Sequence, residues 1–589
     1  MRKKKHFLTG FALFAMLLLL VVSGGCGSSS SDAAKADAIF YNARIYTADA
    51  AQSEAEALVV AGGKIIYIGD TDEAGTYELV PDGVSLDLEG RRVLPGMIDT
   101  HCHLITVGSG RLPEKQPQLD SSMSKAQVLA AVKDFAAANP DAPVIYGLGF
   151  DAPTCMPVHK SELDAFAPDR PIFLMDSGGH FGWANTKALS LADTKDDSKT
   201  HYFERDKSGD LTGGMYEQGP VFRMMTALLP FEAEAMAEAL PVAAAAFNGL
   251  GFTGVFDAGA IPQEEPVVGN VLREMEAKGA LGMRIFTSHF AMPFDDTAKI
   301  GEQLAALGAK TDLVRPAAVK MIADGTIEAS SAYMFEPYNP PGEGSGATNY
   351  TVEQMTAIGR GAAAAGFGVH IHAIGDRAIS NALDAFARIG PIAGGKTMAH
   401  CQVLPADGLE RWAKQTDVVF ETTPVWLIPA LEGNFGKEED GYTYKVLGRE
   451  RYLRQIPFQS LKKAGVTITF GSDFPVSGGL EGVDPLNNIW AAVNRKTLGG
   501  SKIYSPASEY LDLKDAIDAY TINAARQLKA EAEIGSLEVG KAADFVVLDR
   551  DILAIDPYDV HGTITDLEFA DGVSVLRTYL RGKLVYEKQ

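Results

Sequence analysis

Cysteine is scarce in this chain, and positive charge is in short supply. Four cysteines in 589 residues, at positions 26, 102, 155 and 401, are too few for a disulfide framework. Lysine and arginine number 53 against 76 aspartates and glutamates, which gives a formal net charge of -23 and a pI near 4.9. Such a surface repels phosphate backbones, so no nucleic-acid partner is expected. Long apolar runs are nearly missing too. The stretch Phe7 to Val22 is mostly apolar but has only 16 residues, short of the roughly 20 that a membrane-spanning helix needs. What is present is a globular composition, 46% hydrophobic and 22% charged, in a chain long enough for about two to four folded units.

The most informative local feature is His101-Cys-His103. Histidines two apart on a strand point to one face. The preceding run, Arg92-Val-Leu-Pro-Gly-Met-Ile-Asp99, reads as a buried strand. Two imidazoles at one strand end are half of a metal site. Lys320, His372, His400 and Asp473 follow, each at the end of another apolar run. Cys102 and Cys401 adjoin proposed ligands, and strand alternation turns both away to pack behind the wall.

The organisation of the chain agrees with a barrel. Residues 37–92 hold short β-like runs with Gly62-Gly63 as a hairpin turn, and residues 530–589 have the same character. The two ends are expected to form one composite β-sandwich. The middle, 93–529, alternates apolar strands with Ala-rich helical stretches, the pattern of a parallel α/β barrel. Candidate strands are 93–99, 253–258, 284–289, 317–323, 368–373, 397–401, 418–422 and 467–472, the eight that a closed (β/α)8 TIM-type barrel requires. A long insertion, about 104–240, carries two further runs, Val144–Phe150 and Pro171–Asp176. The partition sets His101 and His103 after strand 1 and Asp473 after strand 8. Lys320 falls on strand 4, His372 on strand 5 and His400 on strand 6. Barrel active sites lie at the C-terminal strand ends, where these residues would converge.

Four histidines and one aspartate are too few for two divalent metals unless something bridges. A lysine inside an apolar barrel loses its proton readily. The neutral Lys320 amine could then add carbon dioxide, and the resulting carbamate has one oxygen for each metal. The alternative is a lysine paired with Asp324 or reaching solvent. A hydroxide held between two metals is nucleophilic at neutral pH, and Asp473 could take its proton and pass it to a leaving amine. His370 shares a face with His372 but should sit one layer lower, hydrogen-bonded in the core.

These residues resemble the amidohydrolase superfamily, and several stretches resemble its amidohydrolase 3 branch, which includes N-substituted formamide deformylase-like proteins. The stretches are Leu94-Pro-Gly-Met-Ile-Asp-Thr-His-Cys-His103, His372-Ala-Ile-Gly-Asp-Arg-Ala378, His400-Cys-Gln402 and Gly471-Ser-Asp-Phe-Pro-Val476. Tyr520-Thr-Ile-Asn-Ala-Ala525 and Gly535-Ser-Leu-Glu-Val-Gly-Lys-Ala-Ala-Asp544 resemble the return into that family's β-sandwich. The resemblance implies a metal-dependent hydrolase of a non-peptide carbon–nitrogen bond in a small amide-type substrate. It implies that His101, His103 and Asp473 bind one divalent ion, His372 and His400 the other, with zinc as the expected metal and carboxylated Lys320 between them. Gly178-Gly-His-Phe-Gly-Trp183 and Gly213-Gly-Met-Tyr-Glu217 resemble insertion motifs of the branch. His180, Trp183, Glu217 and His289 are therefore candidates for substrate contact, with structural packing as the alternative for each.

The N-terminus, Arg2-Lys-Lys-Lys5 followed by Phe7–Val22 and Val22-Ser-Gly-Gly-Cys26, resembles a bacterial lipoprotein signal. It implies removal of residues 1–25, lipid on Cys26, a linker over 26–36 and an exported protein anchored to a membrane. An uncleaved anchor is the alternative. A homodimer is left open. Two other functions also stay open: a related deaminase or cyclic-amide hydrolase acting on a heterocycle, and a solute-binding surface lipoprotein without catalysis.

Overall fold

The computed structural model describes residues 35–427, 441–476, 480–495, 506–554 and 573–589. Cys26, the expected lipidation residue, and the expected signal segment lie outside the described residues. Eight parallel strands form the central sheet: Met97–Cys102, Phe252–Asp257, Arg284–Phe290, Val314–Ile322, Gly368–Ala373, Lys396–His400, Val418–Thr422 and Ile468–Phe470. Each pairs with its sequence neighbour, the order of a (β/α)8 barrel. The last strand meets the first through side chains and loop backbone. Ser472 donates from its N–H (3.0 Å) and its hydroxyl (2.6 Å) to the buried Asp99 carboxylate. The Asp473 N–H donates to His101 O at 2.7 Å.

The expected first strand, 93–99, is in fact two strands. Arg92–Pro95 belongs to the sandwich and runs antiparallel to Phe545–Leu548, with Val93 opposite Val547. Met97–Cys102 is the barrel strand. Gly96 separates them, and a Cβ there would lie 2.3 Å from Thr253 Oγ1, so the backbone can make this close approach only with glycine. One apolar run serves two sheets, which periodicity alone could not reveal. As a consequence His101 lies within the barrel strand rather than after it, at its last turn toward the mouth.

The chain ends share one six-stranded sheet, in which Phe545–Leu548, Val575–Leu580 and Lys583–Glu587 join Arg92–Pro95 and Arg44–Tyr46. A four-stranded sheet contains the Ala57–Ala61 and Lys64–Gly69 hairpin turned at Gly62-Gly63. Phe40, Ile45, Leu58, Phe545 and Tyr579 pack between them. A bidentate ion pair ties this unit to the barrel: Arg284 of the third barrel strand holds Asp544 at 3.0 and 3.2 Å, both side chains buried. The insertion builds its own five-stranded sheet. Ile145–Phe150 and Ile172–Asp176 run parallel within it, and Phe181–Ala184, Leu211–Tyr216 and Tyr202–Arg205 complete it. It packs around Ile145, Phe150, Ile172, Leu174 and Trp183. The loop after Ile172–Asp176 brings Ser177 to His180 over the barrel mouth, where they line the central cavity. Among the described residues no helix is long and apolar enough to cross a membrane.

Candidate metal centre

The strand ends bring all six proposed ligands together. Lys320 Nζ lies 3.0 Å from His101 Nε2. Asp473 Oδ1 lies 3.5 Å from His101 Nε2 and 3.4 Å from His103 Nε2. The His372 and His400 rings stand 4.6 Å apart between centroids, and the His101 ring is 4.5 Å from that of His400. Register explains the convergence: Lys320 pairs with His370 and Ile322 with His372, so consecutive strands deliver their side chains at nearly one height. Lys320 is 1% exposed. It does not pair with Asp324, whose carboxylate instead accepts the N–H groups of Ile374, Gly375 and Tyr333.

The electrostatics suit cation binding. Burial pushes His101, His372 and His400 well below the ordinary histidine value, which leaves neutral rings with a lone pair to offer. Burial also lowers the Lys320 amine to about 8, within reach of the neutral form that carbamate chemistry requires. His400 Nδ1 is buried without a hydrogen-bond partner among the described residues, an unusual state for a buried polar atom. His103 Nδ1 faces Gly259 O at 3.4 Å, which turns its Nε2 toward Asp473. Neutral imidazoles, an aspartate and a lysine of lowered basicity are a donor set that fits divalent cations.

The backbone is strained where the chemistry concentrates. His400, Cys401 and Asp473 have φ of 69°, 46° and 52°, in the left-handed region that side chains other than glycine seldom occupy. At Asp473 the turn ends the eighth strand at Phe470, earlier than the expected 472. Cys102 and Cys401 are fully buried in the apolar core, on the side away from the ligands. Asp376, which follows the fifth strand, accepts the Phe335 N–H and orders a loop.

The remaining candidates separate. His180 lines the cavity, and its ring centroid is 5.6 Å from that of His372. Its Nδ1 donates to Glu217 Oε2 at 2.8 Å. Burial works to lower His180, but Glu217, Asp176 and Asp324 outweigh it and raise the ring to about 9. Glu217 itself takes φ of 64° to reach it. Trp183 is fully buried in the insertion core and donates to His159 O at 3.3 Å, away from the cavity lining. His289 is buried against Glu265 at 2.7 Å and is likewise absent from the lining.

Three residues of this region escaped the sequence reading or were left in the background. His370 lies one layer down as expected, but its Nε2 sits 3.0 Å from His101 Nδ1 and its ring stacks on Phe256. Trp426 stacks on His400 at 5.0 Å. Glu421, on the seventh strand, is fully buried with Oε2 3.3 Å from His101 Nδ1. A glutamate inside an apolar strand, Val418–Thr422, was the available signal.

The centre opens into a cavity of about 930 Å³, ample for a small organic substrate. The fold and this ligand set define a metal-dependent hydrolase of barrel type. The chain belongs to the amidohydrolase family, whose model matches residues 85–586, and is a hydrolase of carbon–nitrogen bonds. It is 32% identical over 457 residues to the exoenzymes regulatory protein AepA of Pectobacterium carotovorum subsp. carotovorum, covering 74% of this chain and 93% of that protein. It is 26% identical over 575 residues to the N-substituted formamide deformylase of Arthrobacter pascens, covering 94% and 98%. Among solved structures, an uncharacterized metal-dependent hydrolase of Pyrococcus horikoshii superposes with a TM-score of 0.68 at 26% identity, over 89% of this chain and 100% of that one.

Proposed function

We propose that this protein hydrolyses a non-peptide amide or formamide whose substituent is apolar and which carries no anionic group. The observation that carries the reading is the convergence of Lys320, four histidines and Asp473 beneath the His180–Glu217 pair. In this reading His101, His103 and Asp473 hold one divalent cation and His372 and His400 the other. Zinc would suit this donor set, and Lys320, if carboxylated, would supply the further oxygen ligands that two ions need. Bound there, the ions would supply a water activated near neutral pH and polarise the scissile carbonyl. Asp473 accepts the proton of the attacking water and returns it to the departing nitrogen. Glu217 occupies His180 Nδ1, so Nε2 is the ring atom left to donate toward the carbonyl oxygen as charge develops there.

The cavity supports the substrate class. Phe290 is the register neighbour of Lys320 and Ile322 that of His372, so an apolar wall begins at the reacting centre. Phe222 meets Phe290 edge to face at 5.5 Å and extends it. Among the described lining residues the cationic side chains are Arg111, His180 and Lys320, and Arg111 is already paired with Glu264 and His180 with Glu217. Asp120, Asp151 and Asp176 line the same space. An anionic substituent away from the reacting centre would meet these carboxylates with no unpaired side-chain cation among the described lining residues. The relative named N-substituted formamide deformylase is consistent with such chemistry.

The test is metal content by elemental mass spectrometry on protein produced from residue 27, followed by turnover of N-formyl and N-acetyl phenethylamine and of N-acetylphenylalanine. About two ions per chain, with hydrolysis of the neutral amides at least tenfold above the acid, is expected. Lys320→Ala should lose metal, with partial recovery in millimolar short-chain carboxylates. One observation favours a single-ion reading: ligand atoms of His101, His400 and Asp473 all lie within 4.8 Å of one another. One ion per chain and deamination of a heterocycle would establish that alternative instead. The N-terminal signal supports an exported, lipid-anchored protein. Membrane fractionation of the full chain against Cys26→Ser tests that, and an unchanged distribution would remove it.

A further inference from the structure

One helix of the insertion presents a full face to the central cavity. Gln218–Leu228 begins immediately after Glu217, the residue that holds His180. Two contacts fix that start over the barrel mouth. The Glu217 N–H donates to His180 O at 2.7 Å, and the Glu217 carboxylate accepts from His180 Nδ1 at 2.8 Å. From there Gln218, Val221, Phe222 and Met225 line the cavity. Those positions are i, i+3, i+4 and i+7, which share one side of a helix. Met224, two positions beyond Phe222, points the other way. It is fully buried in the insertion and is absent from the described cavity lining.

Within that face Phe222 differs from its neighbours. Val221 and Met225 are buried and pack in the insertion's own core. Phe222 is only half-buried, and besides that core it packs on the barrel cluster of Phe290, Met292 and Ile322. Its ring meets Phe290 edge to face, with centroids 5.5 Å apart and planes at 78°. Phe290 is fixed from the barrel side. It is the register neighbour of Lys320, and a Cβ at Gly259 would lie 2.6 Å from Phe290 Cδ2, so the ring takes up room that glycine leaves. An aromatic ring left partly uncovered on a cavity wall is apolar surface that a bound substituent can remove from water. We propose that Phe222 is a specificity-determining residue. With Phe290 it forms the surface on which the apolar substituent of the substrate packs, so the insertion helix, and not the barrel alone, sets which amides are accepted.

This inference rests on the proposed amide hydrolysis, and its test separates the two. kcat/KM of the full-length protein is measured for N-formyl phenethylamine and for N-formyl methylamine, whose methyl group offers little surface to pack. The forms compared are the parent, Phe222→Ala, Phe222→Leu and Met224→Ala. Binding of N-formyl phenethylamine to the metal-free forms is followed by isothermal titration calorimetry, with thermal midpoints recorded alongside. In Phe222→Ala the preference for the phenethyl over the methyl compound is expected to fall about tenfold or more, with a similar loss of affinity in the metal-free form. Phe222→Leu keeps part of the apolar area and should fall between. Met224→Ala empties the opposite side of the helix, so it should lower the midpoint and leave the preference within twofold of the parent. A Phe222 that only joins the insertion to the barrel would lower turnover of both compounds together. A preference in Phe222→Ala within twofold of the parent, or an equal fall in Met224→Ala, therefore overturns the proposal. A parent that binds the phenethyl compound but hydrolyses neither removes the amide-hydrolysis reading, and the same thresholds applied to the affinities then decide the role of Phe222. A parent that neither binds nor hydrolyses overturns both.

Discussion

Two regions of this molecule bury charge, and they do so differently. At the seam between barrel and sandwich, Arg284 and Asp544 are as buried as any core residue, yet each is satisfied by the other in a bidentate pair, and Asp544 also accepts the Arg581 N–H at 2.8 Å. At the barrel mouth, Lys320 meets a histidine instead of a carboxylate, His400 Nδ1 has no hydrogen-bond partner among the described residues, and three residues hold left-handed backbone. The seam spends its charges on joining two units. The mouth leaves its valences open, and open valences in a buried place are what a metal ion or substrate can satisfy.

Substitutions should act in opposite senses at the two regions. Asp473→Asn should lower turnover by about 10²- to 10⁴-fold while leaving the denaturation midpoint near the parent. Steady-state rates together with urea unfolding read both, and near-parental turnover would end the proposed proton transfer. Arg284→Ala should behave conversely, costing about 3–5 kcal/mol of stability because it strands Asp544. Activity at low temperature should survive. A loss below about 1 kcal/mol in the same urea series would show that the seam tolerates an unpaired carboxylate.

The smallest effect is expected at the sandwich edge. Burial pushes Asp551 up, but Arg92 outweighs it, bonding the carboxylate at 2.6 and 2.8 Å and holding it below its ordinary value. A depressed folded-state pKa stabilises above the unfolded value, near 3.9, and that contribution fades as pH falls through the folded one. Asp551→Asn should cost about 1 kcal/mol at neutral pH, and the gap from the parent should close in acid. A gap that stays constant from pH 7 to pH 3 would assign the effect to packing instead.

Much of the barrel was legible because each strand is an apolar run closed by a polar residue at the mouth. His101, His103, His372, His400 and Asp473 are each marked in that way, and Lys320 stands out as a charge inside such a run. The first strand was misread because apolarity does not say which sheet a run joins. The division at Gly96 depends on the approach of Thr253, more than 150 residues away in the chain. Trp183 and His289 carried the residue types of a binding site, yet Trp183 fills the insertion core and His289 pairs with Glu265.

What the sequence by itself determined is the order of strands and the chemistry offered at their ends, because both are written in local periodicity and residue type. What only the tertiary structure decided is partnership. Glu421 comes beside His101 across 320 positions, Glu217 holds His180 from just past the strand Leu211–Tyr216, and Arg284 reaches Asp544 across 260 positions. Contacts of that kind arise when strands close into a barrel and bring distant residues to one height, and no local pattern encodes which of them will meet.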